Sequence, residues 1–323
     1  MKNTMLAAIL TATAALTAPM ATAADYPSKP VDLVIGFPPG GPTDILGRVI
    51  AENLSKELGQ SVVVVNQGGA GGVVGSNAVA KAKPDGYTLL VAVQSALTRA
   101  KALGIDVPYE PVTDFEYIRK VAEQRNLLVV NPETPAKTVE ELIAYAKEHP
   151  GELNTGGTFG ASSHIASSLF DMSNGTEMTF INYSGGGPAL IDLLSGVIQV
   201  AFFTESQVAE HVRSGSLRAL AVASEKHSAT FPDLPTVSEA GGAELEISPW
   251  FGIAAPAGTP EDTLEVIGDA LDRMNSNEGY LDQLVTIGAV PVEGSTPETL
   301  SAEVAEEIPF WADWAAKVDF KKQ

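Results

Sequence analysis

Short apolar runs alternate with segments of helical periodicity in the first third of the chain. The runs at 31–37, 62–65 and 88–93 have the length and composition of buried strands. Between them, residues 42–58 and 73–82 repeat apolar side chains at helical spacing. This alternation predicts a β-α-β-α-β unit whose parallel sheet is covered by helices on both faces.

A second unit of the same kind begins near Leu127. A capping box at Thr138 opens a helix, and helices and strands then alternate up to residue 223. A strand at 248–255 and three helical segments complete the chain. Since these last segments have no obvious partner strands, we expect them to pack on the first unit. The prediction is an α/β protein of two domains, each a mostly parallel sheet flanked by helices: residues 24–125 with 248–323, and residues 126–247.

The first residues have the features of an export signal. Lys2 gives a basic start, residues 5–18 are mostly small or apolar, and residues 21–23 (Ala-Thr-Ala) form a cleavage pattern. The apolar stretch is too short to cross a bilayer, which favours cleavage near Ala23 over an uncleaved anchor. We therefore expect residues 1–23 to be a signal peptide and the mature protein to be exported and soluble.

The composition excludes several classes of partner. The chain has 40 acidic and 20 basic residues; removal of Lys2 with the signal leaves 19 basic residues and a net charge of −21. Such a chain is a poor partner for nucleic acid and for anionic membranes. The absence of cysteine excludes disulfides, thiolate metal sites and cysteine nucleophiles.

Glycine-rich loops come at four strand-to-helix turns. In open α/β sheets such turns lie at the carboxyl ends of the strands, where ligands bind. Free backbone amides at helix N-termini favour an anion such as a carboxylate. Each loop alone is also compatible with a tight turn and an ordinary helix cap, so the argument depends on the agreement of all of them. The loops are 37–44, 66–72, 155–164 and 183–188.

Signatures of catalysis, cofactor binding and metal binding are missing from the sequence. It contains no Gly-x-Ser-x-Gly and no His-Glu-x-x-His motif, and its four histidines lack metal-ligand spacing. Gly69 and Gly71 imitate a dinucleotide fingerprint, but the third glycine, Gly75, comes one residue late. The sequence therefore predicts no cofactor, no metal site and no enzyme.

Short motifs occur in a fixed order along the mature chain. They are Tyr26-Pro-Ser-Lys-Pro30, the loops 37–44 and 66–72, Pro84-Asp-Gly-Tyr87, Ala136-Lys-Thr138, Pro188-Ala189, Leu217-Arg-Ala-Leu220, Pro232-Asp-Leu-Pro235, Trp250-Phe-Gly252 and Ala255-Pro-Ala-Gly-Thr-Pro260. In this order they resemble the solute-binding proteins of the tripartite tricarboxylate transporter family, also called the Bug family. The resemblance covers essentially the whole mature chain.

The resemblance implies a two-domain periplasmic-binding-protein fold that closes on a small carboxylate in the cleft between the domains. Family ligands are di- and tricarboxylates, aromatic carboxylates, acidic amino acids and some amides. Their carboxylates are captured by loops, partly through ordered waters, rather than by an arginine clamp. Carried onto this sequence, the implied ligand-binding residues are Phe37, Gly41, Thr43, Asp44, Ser95, Gly160, Ser162, His164, Tyr183, Gly186 and Thr204.

Departures from the family pattern bear on the ligand. Ala161 stands where the family often has a hydroxyl, and Thr204 stands where many members carry an Asp that meets an ammonium group. Thr204 thus disfavours an amino-acid ligand, with the adjacent Glu205 as the substitute acceptor to be considered. Arg99 and Lys101 are interpreted as two solvated surface cations; the alternative is that either one pairs with a second ligand carboxylate.

We therefore expect a monomeric periplasmic binding protein that captures a small organic acid by hinge closure. It would deliver the ligand to the membrane permease subunits of a tripartite transporter. One alternative is a sensor whose closure is read by a membrane receptor, which the sequence does not separate from transport. The other is an exported α/β enzyme acting on a carboxylate, which the missing catalytic set disfavours.

Overall fold

The computed structural model describes residues 26–317 of the chain. The predicted signal peptide, residues 1–23, lies outside the described residues. Within the described part, no helix combines the length and the apolar character that crossing a membrane requires.

Strands and helices alternate along residues 26–317, as the apolar pattern predicts. The first section contains β1 (Val31–Ile35), α1 (Pro42–Leu58), β2 (Val62–Asn66), α2 (Val73–Ala80), β3 (Thr88–Val93) and β4 (Phe115–Gln124). The middle section contains β5 (Asn126–Val130), α3 (Val139–Glu148), β6 (Asn154–Gly157), α4 (Ser162–Asn174), β7 (Thr179–Asn182), α5 (Gly186–Ser195), β8 (Val200–Thr204), α6 (Glu205–Arg213) and β9 (Arg218–Val222). The last section contains β10 (Trp250–Pro256), α7 (Glu261–Asn275), α8 (Glu278–Thr286), β11 (Ala289–Pro291) and α9 (Pro297–Lys317).

The strands form two sheets, and each sheet is the centre of one domain. The sheet of the first domain has the strand order β11-β4-β10-β3-β1-β2, and that of the second has the order β7-β6-β8-β5-β9. The two-domain α/β prediction is thus confirmed, and the last strands and helices do return to the first sheet as expected.

Both sheets are mixed rather than mostly parallel. In the first sheet β1 is parallel to β2 and β3, whereas β10 is antiparallel to β3 and β4 and β11 is antiparallel to β4. In the second sheet β6 is parallel to β7 and β8, whereas β5 is antiparallel to β8 and β9. The β-α-β units give the parallel pairs, whereas β10 and β11 in the first sheet and β5 in the second run in the opposite direction.

Alternate side chains of the strands supply a core on each face of each sheet. Leu33 and Ile35 of β1 pack in one cluster with Leu46 of α1, whereas Val34 belongs to the opposite cluster with Leu300 of α9. Each such side chain, fully removed from water, stabilises the fold by about 1.5–3 kcal/mol. The same alternation separates Phe202 and Phe203 of β8 in the second domain.

The two passages between the domains run side by side. Arg125 alone separates β4 from β5, and β10 begins at the return passage. Gln124 donates its backbone N–H to the carbonyl of Pro249 at 3.0 Å, which ties the outgoing and returning segments together. Because β4 and β10 are also antiparallel neighbours in the sheet, the two passages leave the first domain next to each other.

Candidate functional site

A cavity of about 60 Å³ lies between the two domains. It faces the ends of β3 and β8 and the first turns of several helices. The first domain lines it with Phe37, Pro42, Thr43, Val93, Gln94, Ser95, Arg99, Pro249, Trp250 and Phe251. The second domain lines it with Asn126, Thr158, Ala161, Ser162, Ser163, Gly186, Phe202, Phe203, Thr204 and Gln207. We call this space the interdomain cavity.

Four helices point their N-termini toward the interdomain cavity. Residues from the first turns or caps of α1, α4, α5 and α6 are all among its lining residues. The caps of these helices make no side-chain hydrogen bond to the first turn: they are Gly41, Ala161, Gly185 and Thr204. Backbone amides in these turns are therefore left without a capping side chain, and the helix dipoles add positive potential in the same place. Such an arrangement suits an anion.

Two other helices, α3 and α8, are capped by side chains, whereas α2 and α7 are not. The hydroxyl of Thr138 accepts a hydrogen bond from Glu141 N–H at the start of α3, and Asn277 caps α8 through Tyr280 N–H. The capping box predicted at Thr138 is thus confirmed. The four helices at the cavity therefore differ from α3 and α8, but they share the lack of a side-chain cap with α2 and α7.

Asp44 fixes the shape of the first glycine-rich loop. Its carboxylate accepts hydrogen bonds from Gly40 N–H at 3.0 Å, from Asn66 Nδ2 at 2.9 Å, and from Arg48 Nε and Nη2, both at 2.9 Å. Burial alone would raise the pKa of Asp44, but the bonds from Arg48, Gly40 and Asn66 lower it overall. The carboxylate is therefore ionised and engaged within its own domain, and Asp44 is not among the lining residues of the cavity.

Hydroxyl and amide side chains of the cavity walls are held by neighbours. Ser162 Oγ donates to Asn126 Oδ1 at 3.3 Å, and Ser95 Oγ donates to the carbonyl of Gly71 at 2.9 Å. Gln207 Nε2 donates to the carbonyl of Gly186 at 2.5 Å, which fixes the start of α5. The walls are therefore positioned before any ligand enters.

The structure divides the sequence-predicted site residues into three groups. Six of them line the interdomain cavity: Phe37, Thr43, Ser95, Ser162, Gly186 and Thr204. Two line a different cavity of about 990 Å³, whose walls come from the second domain and from first-domain residues around Gly71 and Leu103: His164 and Tyr183. The lining of neither cavity includes the remaining three: Gly41, Asp44 and Gly160.

His164 and Tyr183 are occupied within the second domain. The imidazole lies between Phe159 and Phe180, with ring centroids 4.5 and 4.6 Å away, and its Nδ1 accepts a hydrogen bond from Gly160 N–H at 3.3 Å. Burial lowers the pKa of His164 to about 4, so the ring is neutral at neutral pH. The Tyr183 hydroxyl donates to Asp192 Oδ2 at 2.6 Å, and burial together with this carboxylate raises the pKa of Tyr183 to about 12.

Glycines of the two domains meet beside the interdomain cavity. A Cβ atom added to Gly185 would lie 2.7 Å from Cγ of Pro38, and one added to Gly186 would lie 3.0 Å from Cδ of Pro42. The loops 37–44 and 183–188 therefore approach more closely than any larger residue at Gly185 would permit. We call this contact the glycine seam.

Comparison with known proteins decides the family. A family model described as "Tripartite tricarboxylate transporter family receptor" matches residues 46–308. The chain belongs to this family. "Protein BugT" of Bordetella pertussis is 38% identical over 306 residues, which are 94% of this chain and 93% of BugT. The resemblance drawn from the motifs is confirmed, and the chain is a solute-binding protein of the tripartite tricarboxylate transporter family.

Solved structures of this family have the same fold. The periplasmic binding protein BugD is 33% identical with a TM-score of 0.88, covering 92% of this chain and all of BugD (100%). "R. palustris Rpa4515 with adipate" is 33% identical with a TM-score of 0.87, covering 91% of this chain and 98% of that one. "MatC (Rpa3494) from Rhodopseudomonas palustris with bound malate" is 31% identical with a TM-score of 0.84, covering 90% and 100%.

The position of Arg99 differs from the sequence-based interpretation. Arg99 was interpreted as a solvated surface cation, but it is 3% exposed and lines the interdomain cavity. It belongs to a π-helical turn (Ser95–Arg99) that follows β3 and folds the side chain inward. Lys101 is a surface cation as expected: it is exposed and lies 3.4 Å from the Glu110 carboxylate.

Other residues with a bearing on the site were also missed or misplaced. Asn126, Gln94 and Gln207 line the interdomain cavity, and no sequence motif singles them out. Glu205, considered as a substitute for the Asp of other family members, is buried but is not among the lining residues. Its side chain instead packs against Gly288 of the first domain.

Proposed function

We propose that this protein captures a small organic carboxylate in the interdomain cavity and delivers it to the membrane permease of a tripartite transporter. It acts in the periplasm as a monomer, and it binds its ligand without changing it chemically. Ligand contacts both domains at once, so binding favours the closed arrangement over an open one.

The observation that carries this proposal is the chemistry of the cavity walls. Four helices without a capping side chain contribute their caps or first turns to the cavity wall. Among the described residues that line it, Arg99 is the only charged one, so no carboxylate opposes an anion there. The same lack of an acidic side chain disfavours an amino acid, whose ammonium group needs a partner.

The size of the cavity supports a compact ligand. About 60 Å³ leaves room for about four to six water-sized groups, by the measure of roughly 10–15 Å³ each. Family members of known structure hold adipate and malate, both of them aliphatic dicarboxylates. We therefore propose an aliphatic mono- or dicarboxylate ahead of a tricarboxylate or an aromatic carboxylate.

We propose domain boundaries that match this mechanism. The first domain comprises residues 24–125 and 248–323, and the second comprises residues 126–247. The membership of the two sheets supports this division, because β5 to β9 form the second sheet and the remaining strands form the first. The glycine seam is in contact in this structure, and opening about the paired passages at 125 and 248 would separate its two loops.

A thermal-shift screen of the chain without its predicted signal tests the proposal. The panel contains mono-, di- and tricarboxylates, aromatic acids and amino acids. A ligand at a hundred times its Kd stabilises the folded state by about 2.7 kcal/mol. For a protein of this size the midpoint then rises by about 5–10 °C, at roughly 2–4 °C per kcal/mol.

Paired variants connect a hit to the cavity. The double variant Thr43→Ala/Ser162→Ala removes two hydroxyls from opposite walls and is expected to abolish most of the shift. Ser195→Ala removes an exposed hydroxyl at the far end of α5 and is expected to leave the shift intact. No shift with any carboxylate, in protein shown to be ligand-free by native mass spectrometry, would reject carboxylate capture.

A further inference from the structure

Arg99 occupies an unusual position for an arginine. It ends the π-helical turn that follows β3, is 3% exposed, and faces the interdomain cavity from the first domain. Burying a guanidinium is costly unless its charge and its N–H groups find partners. The arrangement of those partners shows what Arg99 still lacks.

The counterion of Arg99 is the Glu307 carboxylate, which is connected to the guanidinium through the side chain of Gln94. Arg99 Nη2 donates to Gln94 Oε1 at 2.6 Å, and Gln94 Nε2 in turn donates to Glu307 Oε1 at 2.6 Å. An amide therefore stands between the guanidinium and the carboxylate. Glu307 also accepts hydrogen bonds from Thr98 Oγ1 at 2.8 Å and Trp250 Nε1 at 3.1 Å, which hold it behind Gln94.

One face of the guanidinium is covered by an aromatic ring, and its buried Nε is without a hydrogen-bond partner in the described residues. The ring of Trp311 covers one face, 4.3 Å from the guanidinium carbon. Arg99 Nε is buried and has no hydrogen-bond partner among residues 26–317. Burial lowers the pKa of Arg99 to about 10, against the attraction of Glu307, so the group remains charged at neutral pH. A cation with a free donor and an indirect counterion thus forms part of the cavity wall.

We infer that Arg99 binds a second anionic group of the ligand, so that this protein selects dicarboxylates over monocarboxylates. This inference rests on the proposed function and deepens it. One carboxylate meets the uncapped helix N-termini, and the other meets the guanidinium of Arg99. A carboxylate is the natural partner, since its oxygen accepts from Nε in the plane of the guanidinium.

A purely structural role is the competing explanation, because Arg99 also connects Gln94 with Trp311. The two roles differ in what they do to selectivity. Loss of a structural residue weakens every ligand alike. Loss of a carboxylate partner weakens only ligands that carry the second charge.

The test measures Kd by isothermal titration calorimetry for matched pairs of ligands. Each pair is a diacid and its monoamide, succinate with succinamate and adipate with adipamate, which differ in one charge at nearly constant size. The wild-type protein is expected to prefer the better-bound diacid over its monoamide by roughly ten- to hundred-fold, as for a charged hydrogen bond. In Arg99→Gln this ratio is expected to fall to about three-fold or less, with the monoamide still bound.

A second variant changes Glu307, which influences Arg99 but is not among the lining residues of the interdomain cavity. Glu307→Gln removes the negative charge that draws on Arg99, while its amide oxygen still accepts from Gln94 and Trp250. This change is expected to raise the diacid preference by roughly two- to five-fold. It keeps the inference testable if Arg99→Gln does not fold.

The outcomes are distinct. A wild-type protein that binds a diacid and its monoamide equally well overturns the role of Arg99 and leaves carboxylate capture standing. An equal loss of both ligands in Arg99→Gln, with no change of ratio in Glu307→Gln, also overturns it. Binding of neither member of either pair, and of no other carboxylate in the thermal-shift panel, rejects the proposed function and this inference with it.

Discussion

A single carboxylate holds the first glycine-rich loop against β2. Asp44 accepts four hydrogen bonds, two of them from Arg48, although it belongs to a chain with a large excess of acidic residues. We predict that Asp44→Asn lowers the free energy of unfolding at pH 7 by about 1–3 kcal/mol, because charged and buried hydrogen bonds are lost. Urea unfolding of the wild type and the variant measures this difference.

The difference in unfolding free energy between the wild type and Asp44→Asn is expected to depend on pH. Burial alone would raise the pKa of Asp44, but its hydrogen bonds lower that pKa below the ordinary value of 3.8. The ionised group therefore contributes its full stability above about pH 4 and loses it as the pH falls through the lowered pKa. Wild type and Asp44→Asn are expected to converge in unfolding experiments carried from pH 7 down to pH 3.

An ion pair on the same helix provides the control. Glu52 and Lys56 are also four residues apart and lie 2.9 Å from each other, but both side chains are about 60% exposed. Glu52→Gln is expected to change the free energy of unfolding by less than about 0.5 kcal/mol. If Asp44→Asn costs no more than Glu52→Gln, the loop does not depend on Asp44.

The sequence predicts the positions of some cavity residues but not of others. Motifs placed Thr43 and Ser162 at helix starts, and both line the interdomain cavity. His164 follows Ser162 by two positions on α4, and residues two apart point to nearly opposite sides of a helix. Its side chain therefore lines the other cavity, of about 990 Å³, and not the interdomain cavity. Arg99 was misplaced because the segment Ser95–Arg99 gives no local signal for a π-helical turn.

At the scale of elements, the glycine seam lets two loops meet. Gly185 has an extended backbone, with φ of −179°, that alanine adopts without strain, so a methyl group there meets an obstacle only across the seam. That obstacle is the ring of Pro38, 2.7 Å from the added Cβ. We predict that Gly185→Ala weakens ligand binding by about ten-fold or more, since overpacking costs about 1–3 kcal/mol. Titration calorimetry with the best carboxylate measures the loss.

The opposite side of the seam offers a matched control. A Cβ atom on Gly41 would lie 3.6 Å from Gly186 N, an ordinary contact, and alanine keeps the amide of Gly41. Gly41→Ala is therefore expected to bind within about two-fold of the wild type, because no atoms overlap. Equal affinities of Gly185→Ala and the wild type would show that ligand binding does not bring the loops this close.

The long strand β4 is the part of the first sheet that the apolar pattern does not predict. The runs that became β1, β2 and β3 are continuous and apolar, so their burial could be recognised. β4 shows no such run and no strict alternation, because its pairing with β10 contains two register shifts. These bulges place Tyr117 next to Ile118 and Val121 next to Ala122 as buried neighbours. The strand that carries the chain to the second domain was therefore missed.

At the scale of the whole molecule, one buried acid lies where the domains join. Glu205 begins α6 of the second domain, is 1% exposed, and donates its N–H to the carbonyl of Arg125 in the outgoing passage at 3.0 Å. A Cβ atom on Gly288 of the first domain would lie 2.3 Å from Glu205 Cβ. The ionisation of Glu205 therefore affects the contact between the domains as well as the stability of the second domain.

We predict that the stability of the protein depends on the ionisation of Glu205. Burial raises the pKa of this carboxyl, against hydrogen bonds from Ser228 and Thr230 and the attraction of Arg125 and Arg213. The folded state then favours the protonated form, so its stability is full below the unfolded pKa and declines as the pH rises through the folded pKa. Glu205→Gln resembles the protonated form and avoids this decline.

Thermal unfolding between pH 4.5 and pH 8 measures the effect. The Tm of Glu205→Gln relative to the wild type is expected to rise with pH above the unfolded pKa and to level off once the pH exceeds the raised folded pKa. Glu210→Gln removes the same charge from the exposed side of α6, so the two variants have equal net charge and only one changes a buried group. A Tm difference between Glu205→Gln and the wild type that is constant with pH would mean that Glu205 is ionised to the same extent in the folded and unfolded chains. The contact with Gly288 would then have no dependence on pH.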